Sequence, residues 1–125
     1  MRENRKDITR STREYFEKGM RGHKAVHDIT LLHDDVYRIE RTDDRPDLKV
    51  LIADIYICGE ADIFDITSSF YSLDCIVLVG FYNRYSRSAK ELALENNVGL
   101  YDMREFYGAI HLCGNRMLNY VKKDE

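Results

Sequence analysis

Proline occurs once in 125 residues, as Pro46, and it marks the clearest loop of the chain, Thr42-Asp43-Asp44-Arg45-Pro46-Asp47. Cysteine is scarce too. Cys58, Cys75 and Cys113 are odd in number and show no CxxC spacing. A disulfide framework is therefore not expected, and reduced, mostly buried thiols suit a cytoplasmic protein. No apolar run approaches the roughly 18 residues a membrane helix needs, so no membrane partner is expected. The phosphate-binding GxGxxG and P-loop patterns are missing, which removes the ordinary dinucleotide and NTPase readings. The opening MRENRKDITRSTREYFEKG is charged throughout and has no apolar core region, so it predicts no secretory signal. Internal repeats and low-complexity segments are absent.

What is present is an ordinary globular composition, 44% apolar and 33% charged, at a length that suits one domain over residues 1–125. The net charge is −3 but unevenly spread: residues 1–24 hold 8 Lys/Arg against 4 Asp/Glu, and residues 25–79 hold 4 against 12. That split fits a polyanion-facing side next to a carboxylate cluster, or two solvated faces of opposite sign.

Apolar spacing predicts a first helix from about Asp7 to Lys18, closed by Gly19 and Gly22. Ala25 to Leu32 and Val36 to Arg41 read as a hairpin around His33-Asp34-Asp35. LKVLIADIYIC, Leu48 to Cys58, is nearly all apolar and predicts a central strand covered on both faces. A helix is expected over Ala61 to Leu73, then a buried strand from Cys75 to Phe81. Ser88 with Glu91 has the form of a capping box for a helix ending at Asn96. Val98 to Tyr101 is a short strand, and Asp102 with Glu105 caps a further helix to about His111. Residues 114–125 read as a weakly ordered tail, a weak helix or a frayed end. Strands alternating with helices after Leu48 demand a mainly parallel sheet, to which the hairpin adds antiparallel strands. The expected fold is α/β: a three-layer α/β/α sandwich on a mixed sheet with an N-terminal antiparallel hairpin.

From Cys75 to Ile110 the pieces run CIVLVGFYN, SRSAKELALENN, VGLYD and MREFYGAI. This order resembles the restriction-endonuclease-like (PD-(D/E)xK) superfamily, particularly its Mrr-type branch. The first helix, the hairpin and the long strand extend the likeness loosely over most of the chain. The resemblance implies two carboxylates and a lysine converging at a sheet edge, with Mg²⁺ activating water against a phosphodiester. By position the carboxylates are Asp35 (or Asp34 beside it) and Asp54, the expected catalytic and metal-binding residues. The lysine position holds Tyr56, so the motif is degenerate. Asp47-Leu48-Lys49 spells an alternative D-x-K about five residues earlier.

Asp54 needs an explanation on any reading, because a carboxylate within an apolar strand must be paired, hydrogen-bonded or metal-bound. Asn83, Arg84 and Arg87 follow a buried strand, where sheet-end loops commonly meet ligands, and form the candidate nucleic-acid or anion site. His23 and His27 are four apart but lead into a strand, which disfavours zinc. Three functional expectations follow. The first is a nuclease-like domain, catalytically degenerate, that binds DNA, RNA or a partner, with a homodimer through the hairpin edge among the partners. The second is an active Mg²⁺-dependent nuclease using Asp35 and Asp54. The third is a small Rossmann-like regulatory domain holding a nucleotide or anion at the elbow.

Overall fold

The computed structural model describes residues 5–121. A two-residue strand β1 (Arg5–Lys6) precedes helix α1 (Arg10–Arg21). The helix starts where Thr9, in extended conformation, turns its hydroxyl to accept from the Thr12 amide, meeting one of the donors that every helix start leaves open. The helix therefore lies three residues later than its apolar spacing suggests, and it runs through Gly19 to close at Gly22. Gly19 serves packing here: a Cβ at that position would overlap the Tyr107 hydroxyl.

Strands β2 (Val26–His33) and β3 (Val36–Arg41) form the expected hairpin, with Asp34 at positive φ in the turn. β4 (Leu48–Ile55) is shorter than its apolar run: the chain bends at Tyr56, and Ile57–Cys58 forms a separate strand, β5. Helix α2 (Glu60–Ser69) starts at Gly59, whose amide donates to the Asp62 carboxylate at 2.9 Å. It stops short of Leu73 because Phe70 turns extended and Ser72 takes positive φ. β6 (Cys75–Leu78) ends three residues before Phe81. β7 (Arg84–Tyr85) pairs with β5, helix α3 (Arg87–Glu95) follows, and β8 (Gly99–Asp102) leads into α4 (Met103–Ala109) and α5 (Gly114–Leu118).

The main sheet has the order β2-β3-β4-β6-β8, antiparallel across β2, β3 and β4 and parallel across β4, β6 and β8, with β1 antiparallel to the end of β4. Side chains alternate along β4. Leu48, Val50 and Ile52 pack with Phe16 and Met20 of α1 and Phe106 of α4, whereas Leu51, Ala53 and Ile55 pack with Ile63 of α2 and Ala89 of α3. Two covered faces explain why the segment reads as continuously apolar. The result is the expected three-layer α/β/α sandwich on a mixed sheet.

The tail forms the short helix α5, and residues 122–125 lie outside the described residues. Met117 of α5 is buried, and the Tyr101 hydroxyl donates to its carbonyl at 2.5 Å. Lys90 of α3 holds the same segment, its Nζ donating to the carbonyls of Leu100 (2.7 Å) and Tyr120 (3.1 Å) and lying 4.4 Å from the Tyr101 ring centroid. Burial lowers the Lys90 pKa from 10.5 to about 8. Between those values the unfolded chain binds more protons than the folded one, so this group's contribution to stability rises with pH. Buried Cys58 and Cys75, whose pKa values are raised, act in the opposite sense above the ordinary thiol value. Between about pH 7 and pH 9 the wild type is expected to gain on the order of 1 kcal/mol relative to Lys90→Met. Urea unfolding at both pH values tests this, and parallel pH profiles for the two proteins would count against it.

Candidate functional site at the C-terminal edge of the sheet

The three parallel strands end together, with Ala53 beside Leu78 and Leu78 beside Asp102. Beyond that line β4 and β6 part, and Asn83 fills the gap. Its Oδ1 accepts from the amides of Ile55 (3.1 Å) and Gly80 (2.9 Å), and its Nδ2 donates to Asp54 Oδ1 (3.0 Å). Gly80 is required by this close approach, since a Cβ there would overlap both the Asn83 amide and the Asp54 carboxylate. Asp54 is therefore the hydrogen-bonded carboxylate that its apolar surroundings demand, and its partner is a side chain from the elbow. Asn83 thus clamps two strand ends together.

Asp35 lies in the hairpin turn immediately before β3, and its backbone carbonyl accepts from the Ile52 amide at 3.0 Å. Alternate residues of a strand share a sheet face, so Asp54 follows Val50 and Ile52 onto the α1 side of β4, and Asp35 faces the same side through its contact with α1. Each nevertheless has a different partner. The Asp35 carboxylate forms an ion pair with Arg13 of α1. Arg13 also donates to the Tyr37 hydroxyl (3.0 Å), which donates to Glu17 (2.6 Å). Burial, with the hydrogen bond to Glu17, pushes the Tyr37 phenol up to about 12. Lys6, opposite Asp54 on β1, is on the same face, but no hydrogen bond or ion pair joins the two. Among the described residues, no group of three or more His, Cys, Asp or Glu side chains is placed to hold a metal ion. Asp35 and Asp54 each have a protein partner of their own.

At the expected lysine position, Tyr56 is exposed and lies beneath the Arg84 guanidinium, 5.6 Å from ring centroid to Cζ. The alternative Asp47/Lys49 pair stands at the opposite end of β4, about 17 Å along the strand from Asp54. Lys49 there donates to the Tyr71 carbonyl at 2.7 Å.

The elbow itself divides by role. Ser86, not Ser88, caps α3, its hydroxyl accepting from the Ala89 amide at 3.1 Å. Ser88 lies inside the first turn and touches Ser86. Arg87 is exposed and paired with Glu91 one turn on, a contact worth only a few tenths of a kcal/mol. Arg84, held in place by β7 and its contact with Tyr56, keeps its charge displayed.

Sequence reasoning passes over the residues that complete this edge. Tyr15 of α1 stands against the end of β6, and its neighbour there is Phe81, 93% exposed and beyond the strand. Val79 and Met103 form a buried apolar floor. Arg104, at the start of α4, lines the far wall with Asn83. Tyr82 meets Phe81 edge-on with centroids 5.3 Å apart. The sequence signal for this surface was Phe81-Tyr82 directly after Gly80, two aromatics placed where the strand has already ended.

Elsewhere the chemistry is structural. His23 accepts the Ala25 amide at Nδ1 (3.0 Å), so Nε2 donates to the Tyr107 carbonyl (2.9 Å) and neither nitrogen is open to zinc. Cys58 and Cys75 are buried, with burial holding both thiols protonated. A cavity of about 570 Å³ opens between β1 and the hairpin turn, walled by Asp7, Asp34, Asp35, Asp65 and Arg5, whose guanidinium lies over Phe70. Among the described residues no helix is long and apolar enough to cross a membrane. No family model, curated protein or solved structure matches the chain.

Proposed function

We propose that this chain is a restriction-endonuclease-like domain whose catalytic centre has given way to structural contacts, and that it binds nucleic acid, DNA or RNA, at the C-terminal edge of its sheet. The observation that carries this reading is the double commitment of the two carboxylates, Asp35 to Arg13 and Asp54 to Asn83, with Tyr56 in place of a lysine. The element order on which the resemblance rests supports it: α1, the β2–β3 hairpin, β4, α2, β6, α3, β8 and α4 follow one another in that sequence. The polyanion side is carried by Arg84 and Arg104, while the nearby acids are engaged. Asp102 accepts from the Glu105 amide, Glu105 takes the Tyr85 hydroxyl, and Asp54 takes Asn83.

A nucleotide-binding regulatory role is less well supported, because Asn83, Ser86 and Ser88 are all consumed within the elbow. The nucleic-acid reading is tested by anisotropy with labelled DNA and RNA oligonucleotides at several salt concentrations. Binding is expected to weaken steeply with salt, and Arg84→Ala to weaken it further and lower the salt slope by about one. Binding that ignores salt and Arg84 alike would contradict a phosphate contact there.

A further inference from the structure

Two hollows of about 280 and 390 Å³ adjoin at the strand ends and share the walls Tyr15, Val79 and Phe81. We infer that this groove stacks unpaired bases on Tyr15 and Phe81, which makes the surface specific for single-stranded over duplex nucleic acid. The inference rests on the nucleic-acid reading above and narrows it to one class of substrate.

Three features point this way. Tyr15 and Phe81 are 59% and 93% exposed, and aromatic faces left in water at a groove are available to stack. Tyr82 supports Phe81 from the side, which steadies the ring without covering it. The floor of Val79 and Met103 is apolar, whereas the charges at the rim are Arg104 and, along the same edge, Arg84. Among the described residues Arg104 has no ion pair. The groove's one carboxylate, Asp102, has an oxygen turned inward onto the start of α4. Apolar rings between outward cations complement a strand of phosphates with free bases; an acidic or purely apolar partner would leave one of these halves unmatched. In a duplex each base face is already covered by its neighbours, so only the arginines could engage.

The test uses the full chain with a 12-nucleotide oligo-dT, a 12-nucleotide oligo-rU and a 12-base-pair duplex, read by anisotropy in low salt. The chain has no tryptophan, so quenching of tyrosine emission gives a second readout of stacking. The single strands are expected to bind at least tenfold more tightly than the duplex. Phe81→Ala and Tyr15→Ala should each weaken single-strand binding by about 5- to 100-fold and leave duplex binding unchanged, whereas Phe81→Trp should retain it. Phe81 is so exposed that its replacement leaves the core intact. If duplex and single strands bind alike and Phe81→Ala changes neither, base stacking is wrong and the broader nucleic-acid reading stands. If none of the three is bound at all, both fall.

Discussion

Replacing Arg41 with alanine is expected to lower folding stability by about 3 kcal/mol or more, a large share of the roughly 5–15 kcal/mol that holds a domain together. Arg41 is only 7% exposed. Its guanidinium donates to the carbonyls of Pro46 (2.8 Å), Ile110 (3.0 Å) and Leu112 (2.7 Å), with Cys113 Sγ at 3.7 Å. Two of those carbonyls lie at and just past the C-terminal end of α4, where the helix dipole favours a cation. Truncation would strand three acceptors and unfasten α4 and α5 from the hairpin. Arg41→Lys should recover only part of the loss, because one ammonium cannot reproduce the planar fork. Urea unfolding of the three proteins measures this directly; matching midpoints for wild type and Arg41→Ala would refute the role given to this residue.

Asn83→Ala is the second large effect, expected at about 2–4 kcal/mol. It leaves the amides of Ile55 and Gly80 and the Asp54 carboxylate without their partner. Asn83→Asp separates hydrogen bonding from charge. It keeps an oxygen for the two amides but sets a second carboxylate against Asp54. Like charges raise the pKa of one of the pair above its unfolded value, so the folded state then binds the extra proton. The stability this variant has in acid is therefore lost as pH rises above about 4. Unfolding midpoints at about pH 4 and about pH 7 should diverge from the wild type in that direction. A variant that tracks the wild type across this range would show that Asn83 and Asp54 are not in contact.

The layers and the parallel strands were legible because both depend on local pattern. Leu48 to Ile55 is apolar on both faces, and Asp102 with Glu105 forms a capping box within one turn. What stayed hidden depends on distant partners. The break at Tyr56 arises because its carbonyl accepts from the Arg84 amide and that of Cys58 from the Ser86 amide, contacts that a continuous apolar run does not signal. The same pairing keeps the chain extended through Ser86, so α3 can start there; the Ser88–Glu91 spacing imitates a capping box two residues late. The partner of Asp54 lies 29 residues away, and Tyr15 reaches its groove from the first helix. Position along the strands singled out both carboxylates, but not the tertiary partners that hold them, Arg13 for Asp35 and Asn83 for Asp54.

The most direct measurement of the central claim joins binding and integrity in one sample. Labelled single-stranded DNA and RNA are incubated with the protein in Mg²⁺ and in Mn²⁺, read by anisotropy, then resolved on a denaturing gel. The expected result is oligonucleotide that is bound and remains full length. Metal-dependent cleavage that Asp54→Ala abolishes would contradict the loss of the catalytic centre, and unbound, intact oligonucleotide would contradict the nucleic-acid function itself.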